Sequence, residues 1–218
     1  MTQEKLNANY KKLIPIVGNS FNKTPIYVSL GMDSEYFELF NDVPQSEFQK
    51  SLDQLILSKD TNWSVSGYLE NRSAILREFP DILAEKRVYH LGIDLNLPCG
   101  AELYAPYDCE VVVKDYEDGL GHYGGVIVLK VLKSEPFYML FGHLNPDTLP
   151  AIGTKLKKGE PFARIGDMAQ NGNWYYHTHF QILTKRGYDE GWVSKGYCTE
   201  EALATIKDFC PDPFEYLE

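Results

Sequence analysis

Residues 173–182 read NWYYHTHFQI. The run is rich in aromatic and β-branched side chains, which suit a pleated strand. Successive strand side chains point to opposite faces, so His177 and His179 share a face, roughly 6–7 Å apart at their Cα atoms. The 218-residue chain has only five histidines, so two on one strand face suggest a metal or proton-transfer site if other segments supply partners. The alternative is an ordinary pair of strand histidines satisfied by backbone or water.

Outward from this strand, residues 88 to 184 form short β-rich runs punctuated by Gly, Pro and Asp: VYHLGIDLNL, AELYAP, CEVVVKDY, GGVIVLKVL, FYMLFGHL, PFARIGD and YYHTHFQIL. This spacing predicts a mainly β fold, an antiparallel sandwich or barrel-like arrangement. Residues 1–87 read as an α+β accessory segment. In it TPIYVSLGM is a short strand, and SEFQKSLDQLILSK is a helix capped by Ser46, with Gln49 at the capping-box position and Phe48, Leu52, Leu55 and Ile56 as its apolar stripe. TNWSVSGYLENRS reads as a loop, and Pro80 limits AILREFPDILAEKR to two short helical turns. Residues 185–218 form a C-terminal extension with one helix, TEEALATIKDF, capped by Thr199, facing Leu203 and Ile206 inward and stopped by Pro211.

Composition narrows the function. Hydrophobic residues make up 44% of the chain, enough for a sizeable core, and a formal charge of −10 disfavours a nucleic-acid or anionic-membrane partner. Near the N-terminus the apolar run from Leu13 to Val17 is too short for a signal peptide, so the expected compartment is the cytoplasm, with signal-independent export as the alternative. Cys99, Cys109, Cys198 and Cys210 form no C-x-x-C pair, so a closed structural zinc site is not expected. They are expected reduced, and Cys198 with Cys210 would pair only in an exported protein.

HLGID places His90 and Asp94 four residues apart, again on one strand face, and FGHL supplies His143. One histidine and one carboxylate from a strand, with a histidine from another, give three protein ligands around zinc and leave the fourth position open, as in catalytic sites.

HLGID, FGHL and HTHF, in that order and with GAELYAPYDCEVV and GTKLKKGEPFARIGD between them, resemble the lysostaphin-type zinc metallopeptidases. The resemblance covers roughly residues 88–184 and implies a duplicated hybrid motif, a β-sandwich. It implies that His90, Asp94 and His179 bind Zn2+ and that His143 and His177 are catalytic, without assigning the base between them. It also implies peptide-bond hydrolysis in cell-wall peptides or muropeptides, with small residues beside the cut. Thr178, Gln181 and Cys109 depart from the usual pattern at supporting positions. His122 falls outside the motif and reads as a loop residue. Trp174, Tyr175 and Tyr176 are either groove walls or packing. Asn71 in GYLENR is placed to cover the open metal position, as in latent relatives, or to cap a loop. The alternative function is a non-peptidase hybrid-motif module, phosphocarrier-like or a regulatory binding protein. Oligomeric state is not legible.

Overall fold

The computed structural model describes residues 1–218. Twelve strands occur in chain order: β1 (Ile26–Tyr27), β2 (Ser64–Ser66), β3 (Tyr89–His90), β4 (Ile93–Asn96), β5 (Glu102–Tyr104), β6 (Cys109–Glu117), β7 (Gly124–Val131), β8 (Tyr138–Leu144), β9 (Lys155–Leu156), β10 (Pro161–Arg164), β11 (Thr178–Leu183) and β12 (Tyr197–Cys198). Eight of them build one sheet in the order β1-β2-β4-β11-β8-β7-β6-β9. All its pairs are antiparallel except β1 with β2. Two small antiparallel pairs, β5 with β10 and β3 with β12, complete the β structure. Each β-rich run read from the sequence contains a strand, so the mainly β expectation holds for this region.

Period-two alternation gives the large sheet two different faces. On one face Val65, Ile93, Leu95, Ile127, Leu129, Met139, Phe141, Phe180 and Ile182 enter the main apolar core. The other face is divided. Towards β7 and β8 it carries Val126, Val128 and Leu140, whereas along β2, β4 and β11 it carries Ser64, Ser66, Asp94, Asn96, His179 and Gln181, all buried. Buried polar groups require partners, and this polar half-face is where the site forms.

Residues 1–87 are part of the same architecture. Leu6, Leu13, Ile16, Val17, Phe21, Trp63 and Val65 enter the main core beside Ile93 and Phe180. The segment read as a loop contains β2, which pairs with β4 through Ser66 opposite Asp94. Only Val65 in Ser64–Ser66 faces the apolar core, so the strand has no alternation long enough to be seen in sequence.

The helix Gln45–Ser58 begins one residue before Ser46, with Pro44 as its N-cap residue. Gln45 and Gln49 do not serve that helix end. Their side-chain oxygens accept the backbone N–H groups of Tyr175 and Tyr176, tying the helix to the approach to β11. In the tail, the expected helix is instead two 3-10 turns, Glu201–Ala204 and Ile206–Asp208, interrupted at Thr205 with φ −125°. Burial of Ile206, Phe209 and Cys210 against the second apolar face fixes this path, and such anchoring outweighs the modest propensity of a short helix. All four cysteines are free thiols.

A shortened chain beginning at Lys86 would lose β1 and β2 and expose the apolar face of β4 and β11 that residues 1–85 help to cover. It is expected to aggregate or to lose the cooperative melt of the full chain, as read by size-exclusion chromatography and circular dichroism. A soluble, cooperatively melting product would show that residues 86–218 fold alone.

Candidate metal centre and groove

His90 does not share a strand with Asp94 as expected: it ends β3, Asp94 lies in β4, and His179 lies in β11 directly opposite Asp94. Direct pairing across adjacent strands puts both side chains on one face. Gly92 permits the close approach that brings His90 in, because a Cβ there would meet Phe180 O at 2.4 Å and His179 Cε1 at 2.9 Å.

The hydrogen bonds fix which nitrogens are bare. His90 Nδ1 lies 2.8 Å from Gly67 O, an acceptor, so it carries the proton and leaves Nε2 with a lone pair. His179 Nε2 donates to Gln181 Oε1 at 2.9 Å and leaves Nδ1 bare. These two bare nitrogens face one another at 2.8 Å. Asp94 Oδ1 lies 3.1 Å from the first and 3.4 Å from the second, and this buried oxygen has no hydrogen-bond donor. Three acceptors pointing at one spot form a set that could hold a metal ion. A tetrahedral zinc with bonds of ~2.0–2.1 Å spaces its ligand atoms about 3.3 Å apart, and two imidazoles plus a carboxylate suit that ion.

The other carboxylate oxygen, Asp94 Oδ2, accepts from Arg72 Nη1 and from the Tyr175 hydroxyl at 3.1 Å. Burial works against charge on Asp94, but the Arg72 guanidinium and the neighbouring imidazoles outweigh it and hold the carboxyl well below its usual range. Burial, with the Asp94 charge, pushes the Tyr175 hydroxyl up, so it stays a donor. GYLENR therefore does reach the site, through Arg72 rather than Asn71. Asn71 accepts from Ser73 N at 3.1 Å in its own turn and does not line the groove.

His143 and His177 stand beside this cluster, their ring centroids 4.4 Å apart. His143 Nδ1 donates to Asn171 O and His177 Nδ1 to Tyr175 O, each at 2.8 Å, which leaves both Nε2 atoms bare. His177 Nε2 lies 3.7 Å from Asp94 Oδ1. The sequence does not show how His143 reaches this face, since strict alternation after Met139 and Phe141 would point it into the core. Between Phe141 and Leu144, β8 spans three residues while β7 spans two from Gly125 to Ile127, a bulge in which His143 takes φ 64°. The extra residue turns the imidazole over, and a left-handed non-glycine residue of this kind costs on the order of 1–3 kcal/mol.

The cluster opens into a groove of about 570 Å³. Its walls include Phe79, Ile82, Tyr123, Trp174 and Tyr197, and its rim carries Asp81, Glu85, Arg87 and Glu117. Trp174 is therefore a wall, Tyr175 supports Asp94 from below, and Tyr176 packs against the main core instead. His122, read as an ordinary loop residue, lies at the mouth of the groove. Thr178 Oγ1 donates to Gly142 O at 3.0 Å. Sequence reasoning missed Arg72, Tyr123 and Tyr197, for which no local pattern signals a role.

Residues 88–190 match the model of peptidase family M23, in line with the lysostaphin-type resemblance. None of the curated proteins matches the chain. Similar solved structures include a zinc-containing peptidase from Vibrio cholerae, with 27% identity, 45% of this chain and 28% of that one covered, and a TM-score of 0.38. LytU has 22% identity, 56% and 74% coverage, and a TM-score of 0.40. The catalytic domain of the antimicrobial peptidase lysostaphin from Staphylococcus simulans has 16% identity, 55% and 80% coverage, and a TM-score of 0.41. The matched region spans little more than a quarter of the Vibrio cholerae chain.

Burial lowers His90 and His177 to about 4 and His143 well below its ordinary 6.5. Between that ordinary value and about 4 the unfolded chain binds protons that the folded chain does not, so stability rises with pH across the window and is lost on acidification. Metal held by neutral imidazoles shifts stability in the same direction. The melting temperature of metal-free protein is expected to fall steadily from pH 7 to pH 4.5. A flat profile would mean that these imidazoles are not buried in the neutral form.

Proposed function

We propose that this chain, whose residues 88–190 match peptidase family M23, is a zinc-dependent endopeptidase with His90, Asp94 and His179 as metal ligands and His143 and His177 as its proton-transfer groups. The observation that carries this reading is the convergence of His90 Nε2, His179 Nδ1 and the donor-free Asp94 Oδ1, all within 3.4 Å of one another. Zinc bound there would supply Lewis acidity and acidify a water molecule towards neutral pH.

The remaining chemistry belongs to the protein. His143 and His177 are held neutral by burial, and each presents a bare Nε2 while a backbone carbonyl fixes its other nitrogen. Such a pair can take a proton from the attacking water, stabilise the tetrahedral oxyanion once protonated, and return the proton to the leaving amine. The hydrogen bonds through Nδ1 prevent ring rotation, so no reorientation is needed during the reaction.

The substrate class is a peptide. The cluster is flanked by the bulky aromatic side chains of Phe79, Tyr123, Trp174 and Tyr197, and such walls favour a scissile bond flanked by small residues such as Gly or Ala, as in cell-wall peptides and muropeptides. A phosphocarrier-like or purely regulatory module needs at most the histidine pair and gives no use to the three convergent acceptors.

Metal analysis is expected to find one zinc per chain, removed by His179→Ala. His143→Ala and His177→Ala should retain zinc and lose ~10²–10⁴ in rate, the usual contribution of positioned acid–base groups. Loss of metal from either of these variants would reverse the assignment of roles.

For the substrate, wild-type protein would be incubated with muropeptides, a pentaglycine peptide and a peptide of bulky residues, with and without chelator, and followed by mass spectrometry. Chelator-sensitive cleavage of the first two is expected. Cleavage confined to the bulky peptide would contradict the small-residue preference.

A further inference from the structure

Arg72 is the one cation buried beside the cluster, 1% exposed in its side chain, and the reaction outlined above gives it no task. Its fork spans two carboxylates: Nε and Nη2 donate to Glu70 Oε2 at 3.1 and 3.0 Å, and Nη1 donates to Asp94 Oδ2. Glu70 is itself fixed on both oxygens. Oε1 accepts the Tyr27 hydroxyl at 2.6 Å and Gly67 N at 2.8 Å, and Oε2 also accepts Leu30 N at 3.2 Å. Gly67 in turn presents the carbonyl that receives His90 Nδ1–H at 2.8 Å. Glu70 therefore touches two of the three converging side chains at one remove, Asp94 through Arg72 and His90 through Gly67.

From this circuit, and resting on the zinc reading of the cluster, we propose that Glu70 and Arg72 are positioning residues of the metal centre, which hold Asp94 to a single free oxygen and hold His90 in the tautomer with Nε2 bare. The segment ahead of the family-matching region thus contributes to the metal site itself. The geometry has three supports. First, Asp94 Oδ2 already has two donors while Oδ1 has none, so the carboxylate is set for one-oxygen coordination before any ion arrives. Second, a Cβ on Gly67 would lie 2.7 Å from Glu70 Oε1 and 2.9 Å from the Tyr27 hydroxyl, so the Glu70 carboxylate packs directly against the residue whose carbonyl His90 uses. Third, one guanidinium between two buried carboxylates leaves a net negative charge, which a divalent cation offsets and an apolar core would not need. Partners that orient metal ligands in this way typically change metal affinity 10–100-fold when removed.

The test uses full-length protein and measures zinc affinity by chelator competition, the visible spectrum after cobalt(II) substitution, and thermal stability. Arg72→Lys keeps the charge but lacks the planar fork that spans both carboxylates; Glu70→Gln keeps the shape but removes the charge that anchors Arg72, and it carries the test if the lysine variant does not fold. Both are expected to lose about 10–100-fold in zinc affinity and to change the cobalt spectrum while still melting cooperatively. Leu156→Ala, on β9 at the far edge of the sheet, should lower stability but leave affinity and spectrum unchanged. Wild-type affinity and spectrum in both Arg72→Lys and Glu70→Gln overturn the proposal, as does an equal loss in Leu156→Ala, which would trace the effect to stability alone. Failure of wild-type protein to take up zinc would instead overturn the metal reading on which the proposal rests.

Discussion

The pairing of β4 with β11 is the constraint on which the site depends. It sets His179 directly opposite Asp94 while Ile93, Leu95, Phe180 and Ile182 lock the opposite faces of the same strands into the main core. Because side chains alternate with a period of two, slipping this register by one residue would move the apolar set out of the core and the ligand set into it. Burial of the apolar face therefore enforces the geometry of the polar one. The facing of Asp94 and His179 is a consequence of core packing rather than a separate feature laid over it.

Concentrating polar groups on one buried half-face is expensive unless each is paired. The protein meets this with short circuits. Asn96 Nδ2 donates to Ser64 Oγ at 2.8 Å and Ser66 Oγ at 3.2 Å, Gln181 Oε1 accepts the His179 Nε2–H, and the Gly67, Asn171 and Tyr175 carbonyls accept the Nδ1–H of His90, His143 and His177. What stays unpaired is informative. Asp94 Oδ1 lacks a donor at the centre of the ligand cluster, and the buried Tyr123 hydroxyl and Trp174 Nε1 lack partners in residues that line the groove. Gln45 Nε2, Thr61 Oγ1 and Asn96 Oδ1 are unpaired away from the groove, so half of these buried unpaired atoms face the groove, where a bound ion or ligand could meet them.

The groove is built from more of the chain than residues 88–190. Phe79 stacks on Trp174 with centroids 4.0 Å apart, and the wall continues through Ile82, Glu85 and Arg87 from the N-terminal segment and through Ser194, Gly196 and Tyr197 from the C-terminal one. The converging histidines and aspartate all come from the matched region, whereas the walls and rim of the approach are shared between that region, through Glu117, Tyr123 and Trp174, and the flanking segments.

The β-rich runs are legible in the sequence, because short β-branched stretches bounded by glycine, such as GGVIVLKVL, mark strands, and the H-x-H spacing singles out His177 and His179, whereas His90, Asp94 and His143 stand out through the motifs HLGID and FGHL rather than through shared strand faces. The residue types also define the chemistry open to such a set, two imidazoles and a carboxylate converging with two further imidazoles beside them. Three features arise from tertiary contacts alone. Those contacts recruit Ser64–Ser66 as the strand beside β4, although a lone valine between serines gives no periodic signal. They turn His143 out of the core through a bulge whose cause lies in the register between β7 and β8, not in the local sequence. And they draw Arg72 beneath Asp94, although an arginine two residues after a glutamate carries no local signal of burial. The physical reason is common to all three. Alternation and spacing are properties of one segment, whereas register, backbone inversion and the pairing of buried charges depend on which segments the shared core brings together.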